Sequence, residues 1–207
     1  MSTPPVAVSS PSLSPDVLRP VRRRGYPTAW WGMVMLIATE AMVFVLLIAS
    51  YLFLRASAPR WPPAGIELPK LDLATPFSFV LWGSSVPIFW VESAIRKGRM
   101  DHVRLGLLIS FVMGLGFVGY TLYDFNTLTF GWRDNAYASS FYTIVGLHLT
   151  HVIVGLAMSA IVQIKAWQNK FNSQRHITLD VFSLYWHFVD AVWLVVFPTL
   201  FVSVHIK

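Results

Sequence analysis

The sequence has no cysteine among its 207 residues, which excludes disulfides, zinc–thiolate sites, iron–sulfur clusters and thiol nucleophiles together. Charge is scarce as well. Asp, Glu, Lys and Arg make up only 13% of the chain, against 55% hydrophobic and 15% aromatic residues, too little to cover a water-facing surface. Such a composition belongs in a bilayer. The net charge of +6 sits in short clusters beside apolar runs, where membrane topology and anionic lipid account for it, so no nucleic-acid partner is expected. Residues 1–25 form a Ser/Pro-rich stretch with a basic end and too few apolar side chains to offset the entropy of ordering, and a disordered tail is expected there. The stretch lacks the basic start, apolar core and small-residue cleavage site of a signal peptide, so the first apolar run is expected to remain in the mature protein.

What is present is five apolar runs of bilayer-spanning length, at about 29–54, 76–95, 103–123, 138–165 and 178–204. Lipid leaves backbone N–H and C=O groups no partner outside the segment, so each run is read as a helix. The fold class expected is an all-α integral membrane protein, a bundle of five transmembrane helices. One side of the membrane would carry Arg19, Arg22, Arg23, Arg24, Arg96, Lys97, Arg99, Arg104, Lys165, Lys170 and Arg175; the other, Arg55, Arg60, Lys70, Arg133 and Lys207. Eleven against five places the N-terminus in the cytoplasm and the C-terminus outside. Trp30, Trp31 and Trp167 would then line the inner interface, and Trp61 and Trp132 the outer one. Small-residue pairs at four-residue spacing, Ser110/Gly114, Gly146/Thr150 and Gly155/Ser159, would let helix backbones approach closely.

Against this apolar background the intramembrane polar residues are conspicuous. Glu40 is the only ionisable side chain between Trp30 and Leu54. A carboxyl at that depth costs kilocalories unless a neighbouring helix supplies a partner. With a rise of 1.5 Å per residue from the cytoplasmic boundary, Glu40 lies roughly 15 Å deep, His151 about 20, His148 about 24, His187 about 14 and Asp190 about 18. These five form one expected polar layer, in which Glu40 would pair with His151 or His187. Glu92 falls near the inner end of its span and Asp124 near the outer end of its own.

Three chemistries suit such a layer. Imidazoles and carboxylates on facing helices can ligate a metal or haem, but the chain has no Glu-x-x-His pair of the di-iron type and no His-rich box. They can relay protons, although spans two and three offer little to extend a wire outward. They can also tie a bundle together as a structural knot, which needs the fewest further parts.

The same residues carry a resemblance. Tyr185-Trp186-His187-Phe188-Val189-Asp190 followed by Ala191-Val192-Trp193-Leu194 resembles the YWHFVD-x-VWL signature of subunit III of the haem–copper oxidases. Phe141 to Val152, with Gly146, His148 and His151, is similar to that family's FY-x-x-x-G-x-H-x-x-HV segment. The helix Gly32 to Phe44 is similar to the one that carries the family's carbodiimide-reactive glutamate, here Glu40. Together the three motifs span essentially all of residues 26–207. The departures are a short form of five helices where many members have seven, Thr150 where a glycine is common, and a loop at Phe125 and Asn126 without the usual acidic-aromatic pair.

The resemblance implies a non-catalytic subunit of a proton-translocating aa3-type cytochrome c oxidase in a bacterial plasma (inner) membrane. Subunit I would be its main contact, with subunit II and subunit IV as further partners, and cytochrome c or a quinol would donate electrons to the complex. Oxygen reduction to water would occur on haems and copper held by the partners, with no cofactor or metal in this chain. Of the six histidines, His102, His176 and His205 lie in loops or at helix ends, leaving three for the membrane interior, too few for those ligand sets. The implied roles are support of proton uptake, protection of the complex during turnover, and retention of phospholipid. Arg96, Lys97 and Arg99 are candidates for holding lipid phosphates or raising proton availability at the cytoplasmic surface. A quinol-oxidase subunit and a homologue associated with nitric oxide reductase are the nearest alternatives. A free-standing proton-coupled transporter is the alternative of another class, disfavoured by the lack of an inverted repeat.

Overall fold

The computed structural model describes residues 26–63, 66, 68–171 and 176–205. The tail expected over 1–25 lies outside the described residues, as do Arg175 and Lys207. Among the described residues the regular structure is entirely helical: α1 Thr28–Ser57, α2 Leu71–Gly83, α3 Ser85–Arg96, α4 Met100–Thr127, α5 Ala136–Trp167 and α6 Ile177–Phe197, closed by a five-residue π-helical segment, Pro198–Val202. Five of the resulting spans are long and apolar enough to cross a membrane, with α2 and α3 together forming the second and α6 with its π-helical extension the fifth.

The helices outrun the apolar segments by one to five residues at most ends, because a helix continues through polar residues once its backbone ladder is established. The exception is the last span, which leaves the helix at Val202, short of the expected residue 204. Pro198 has no N–H to return to the ladder, and the widened turn it begins is closed by Ser203 N–H donating to the Pro198 carbonyl, at 2.9 Å.

A continuous helix was expected for span two, but the chain breaks it at Ser84. Pro87 cannot donate to the Gly83 carbonyl and its ring crowds that position, so α2 ends there and α3 starts afresh. The break is stitched to α6. Trp186 Nε1–H donates to Ser84 Oγ at 2.9 Å, and Trp193 Nε1–H donates to Ser78 Oγ at the same distance. An indole only donates, and the Ser84 and Ser78 hydroxyls supply the acceptors that these two buried rings face.

Helix α6 is the axis of the bundle, packing against α1, α2, α3 and α5, while α4 closes the back against α2, α3 and α5. The approach of α4 and α5 to α6 depends on two glycines. A Cβ on Gly114 would stand 2.8 Å from the Trp186 ring and one on Gly155 would stand 3.0 Å from it, so the indole lies between the two bare backbones. The small pairs Ser110/Gly114 and Gly155/Ser159 are thus buried at crossings, whereas a Cβ on Gly146 would meet nothing within 4 Å, so the Gly146/Thr150 pair lies on an open face.

Helix α1 is held mainly along one stripe that includes Phe44 and Tyr51, and Met35, Leu46 and Phe53 project outward as apolar solvent requires. Its far end is fastened by Arg55, whose guanidinium donates to Ser203 Oγ at 2.6 Å and to the Ser203 carbonyl at 3.0 Å. The end of the bundle where α1, α4 and α6 begin carries Arg96, Lys97, Arg99, Lys165 and Lys170 and is called the basic end below.

Candidate functional site

The polar residues divide into two groups and a solitary ring. Glu40 comes from the middle of α1 and reaches α5, where its Oε2 lies 3.2 Å from His151 Nε2. The other ring nitrogen, His151 Nδ1, lies 2.8 Å from the Leu147 carbonyl. A carbonyl can only accept, so Nδ1 carries a hydrogen and the Nε2–Oε2 contact holds one proton, shared between a carboxyl and an imidazole. Phe44 meets the His151 ring edge-on at 5.1 Å, and Tyr185 O–H donates to the His151 backbone carbonyl at 3.3 Å, so α1, α5 and α6 all join here. The Glu40 side chain keeps 37% of its surface exposed. It opens on a groove of about 280 Å³ lined by Met33, Leu36, Thr150, Val154, Met158 and Tyr185.

That single-proton contact makes a prediction about two substitutions. Glu40→Gln keeps a donor facing Nε2 and is expected to leave unfolding in detergent within about 0.5 kcal/mol of the parent. Glu40→Ala leaves the imidazole without its partner and is expected to cost about 1 kcal/mol. Equal losses for the two would show that the carboxylate charge, and not the shared proton, holds α1.

The second group lies between α3 and α6. Ser85 Oγ donates to Asp190 Oδ2 and stands 3.0 Å from His187 Nδ1. Ser183 Oγ donates to Glu92 Oε1, and the same carboxylate oxygen lies 3.9 Å from His187 Nε2. Phe89 stacks on the His187 ring at 4.2 Å and 19°. Glu92 is held in turn by Arg96, whose Nη2 is 3.6 Å from Oε2. Below it a cleft of about 580 Å³ opens at the basic end between Tyr26, Trp30, Arg96, His176, Asp180 and Leu184 and reaches Glu92 and His187.

His148 belongs to neither group. It is 1% exposed, stacks on Trp193 at 4.6 Å and meets Phe117 edge-on at 6.0 Å, and neither ring nitrogen has a protein partner. Its contacts are those of an aromatic filler.

Of the five residues expected in one layer, then, Glu40 meets His151 but not His187, Asp190 and His187 form a separate centre, and His148 stands apart. Sequence reasoning missed Ser85, Ser183 and Glu92 as members of that centre. The signal for Ser183 was present, since positions 183, 187 and 190 share one face of α6. Arg96, Lys97 and Arg99 are exposed together at the turn from α3 into α4, where Gly98 takes φ 69°. Among the described residues, no group of three His, Asp or Glu side chains is arranged to hold a metal ion.

Five apolar spans with carboxyl–imidazole contacts inside them define a multi-pass membrane protein with a polar interior. The chain belongs to the cytochrome c oxidase subunit III family, which it matches over residues 24–205. It is 33% identical to the cytochrome c oxidase subunit 3 of Thermostichus vulcanus over 175 residues, which cover 83% of this chain and 85% of that protein. The subunit 3 of Synechocystis sp. is also 33% identical, over 81% of this chain and 72% of its own length. That of Mus musculus is 28% identical, over 90% and 76%.

Proposed function

We propose that this chain is the non-catalytic third subunit of a bacterial aa3-type cytochrome c oxidase, sitting in the plasma membrane with its N-terminus in the cytoplasm. It supports proton uptake by, and the stability of, the redox-active subunit I while oxygen is reduced to water on haems and copper held by partner subunits. The observation that carries this reading is the family match over residues 24–205, which includes all five spans. The names of the relatives favour cytochrome c over a quinol as the electron donor.

The site chemistry suits a supporting part. The Glu40–His151 contact joins two polar side chains on different helices, as a scaffold requires in a medium without water. The groove beside Glu40 has the apolar lining and outward opening that suit a lipid chain, and Arg96, Lys97 and Arg99 supply charge for phosphates at the basic end. The net basic charge of that end supports its cytoplasmic placement.

The test is removal of the chain from the assembled complex, followed by repeated turnover with excess reductant. Initial oxygen consumption is expected to persist while activity declines faster with each turnover than in the intact complex. An unchanged decline would contradict the supporting role, and loss of all initial turnover with the haems still in place would make the chain part of the catalytic machinery.

A further inference from the structure

The groups between α3 and α6 are connected in an order that a packing knot does not need. Beginning at the basic end, the cleft between Arg96, His176 and Asp180 reaches the Glu92 carboxylate and the His187 ring. His187 Nε2 stands 3.9 Å from Glu92 Oε1 and has no hydrogen-bond partner, although it is buried. The opposite ring nitrogen, Nδ1, contacts Ser85 Oγ at 3.0 Å, and Ser85 donates onward to Asp190 Oδ2. Asp190 is 6% exposed and its other oxygen, Oδ1, is also buried without a partner. Because Ser85 gives its only hydrogen to Asp190, the His187 Nδ1 atom must be the donor in its contact with Ser85. A neutral ring then has its free lone pair on Nε2, on the side of Glu92, whose carboxylate stands between it and the basic end.

Among the described residues no hydrogen bond extends the path beyond Asp190. Residues 191–197 of α6 carry no ionisable side chain, and the next indole, Trp193, has its N–H committed to Ser78 Oγ. From α1 and the residues just before it the cleft is faced by Trp30, Pro27 and Tyr26, none of them charged, and Glu40 is turned to His151 instead. The charged and titratable groups facing the path are therefore Tyr26 ahead of α1, Glu92 and Arg96 from α3, and His176, Asp180, His187 and Asp190 from α6 and the residue before it.

We propose that this is a hydrated, dead-ended proton-exchange site, in which water entering at the basic end passes protons through Glu92, His187 and Ser85 to Asp190 and back to the same side. In the inward step Glu92 takes a proton from water in the cleft and its carboxyl passes one to His187 Nε2. The Nδ1 proton leaves for Ser85 Oγ, and the Ser85 hydroxyl proton moves to Asp190 Oδ2. One proton enters and one arrives, and reversal of the same transfers restores the ring. The site is a property of this chain whatever complex contains it, so it goes beyond the subunit assignment.

Two measurements on the full-length chain in sealed vesicles test it, and neither uses oxygen turnover. Infrared spectra recorded on exchange from water to deuterium oxide should contain a carboxyl C=O band that shifts on exchange and is lost in Asp190→Asn. The shift should slow about 100-fold in Ser85→Ala, the scale on which a positioned proton-transfer group acts. No band assignable to Asp190, or equal exchange rates in Ser85→Ala, would overturn the relay. Accessibility is read separately, and a sequence without cysteine makes any introduced thiol unique. Leu184→Cys, in the cleft wall, should react with a water-soluble, membrane-impermeant maleimide added at the basic end. It should not react from the opposite side, and Val112→Cys, on the exposed apolar side of α4, should react from neither. An unreactive Leu184→Cys, or one labelled from the opposite side, would show that no water reaches the site from the basic end.

Discussion

Replacing Trp186 with alanine is expected to destabilise the bundle by about 3 kcal/mol, measured as a shift in unfolding in mixed detergent micelles. The ring is 1% exposed and fills the space between the bare backbones at Gly114 and Gly155, so its removal leaves a void that neither α4 nor α5 can fill by rotating a side chain. In a bilayer lipid tails are as apolar as the core, so the loss is one of van der Waals contact rather than of hydrophobic transfer. That places the cost at the low end of the ~3–5 kcal/mol seen for large aromatic truncations in water-soluble cores. The Ser84 hydrogen bond adds a smaller term, of about 0.6 kcal/mol for interhelical pairs in membranes. The substitution also removes what pins the break between α2 and α3, so proteolytic susceptibility near Ser84 should rise with it. A shift below about 1 kcal/mol would mean that α4 and α5 collapse onto α6, and the indole would not be the spacer described above.

Gly106→Leu is expected to be of similar size with the opposite cause, overpacking. A Cβ at Gly106 would lie 2.5 Å from Val91 Cγ2, 3.1 Å from the Pro87 backbone carbonyl and 3.2 Å from the Trp90 ring. Val91 can turn, but the Pro87 carbonyl belongs to the first turn of α3 and cannot move without displacing the helix. A side chain as large as leucine must therefore push α3 from α4, at a cost of about 3 kcal/mol, the upper part of the range for inserting bulk into a packed interior. Because α3 carries Ser85 and Glu92, the same variant should also lower the labelling of Leu184→Cys or broaden its rate, which Trp186→Ala need not do. Folding and assembly unchanged in Gly106→Leu would contradict the tight α3–α4 crossing.

The five spans were legible in the sequence because the bilayer imposes a length and forbids unpaired backbone, so apolar run length alone locates each helix. The break at Ser84 was legible in principle from Pro87, yet a hydropathy profile averages across it. Helix ends were misplaced because they follow hydrogen bonding and capping: Asn135 Oδ1 accepts from Ala138 N–H at 2.9 Å and starts α5 at Ala136, two residues before the apolar run.

The polar interior was only partly legible. Depth is one coordinate, and it brought Glu40, His148, His151, His187 and Asp190 to similar levels without saying which way each points around its helix. His148 and His151, three residues apart, differ by about 60° about the axis of α5, enough to send one toward Trp193 and the other toward α1. Glu92 fell outside the expected layer because it lies one turn from the end of α3. Side chains lean toward the N-terminus of their own helix, and α3 runs toward the basic end while α6 runs away from it. Glu92 therefore leans inward and His187 leans back toward it, which closes a gap in depth that counting residues leaves open.

The central claim is that this chain is a membrane scaffold attached to a terminal oxidase. It is tested most directly by purifying the tagged chain in mild detergent and recording an absorption spectrum of what comes with it. Bands of haem a, with the iron and copper assigned to accompanying polypeptides once the complex is dissociated, are the predicted result. A chain recovered alone and without haem absorption, or one that retains iron or copper after every other polypeptide has been removed, would contradict it.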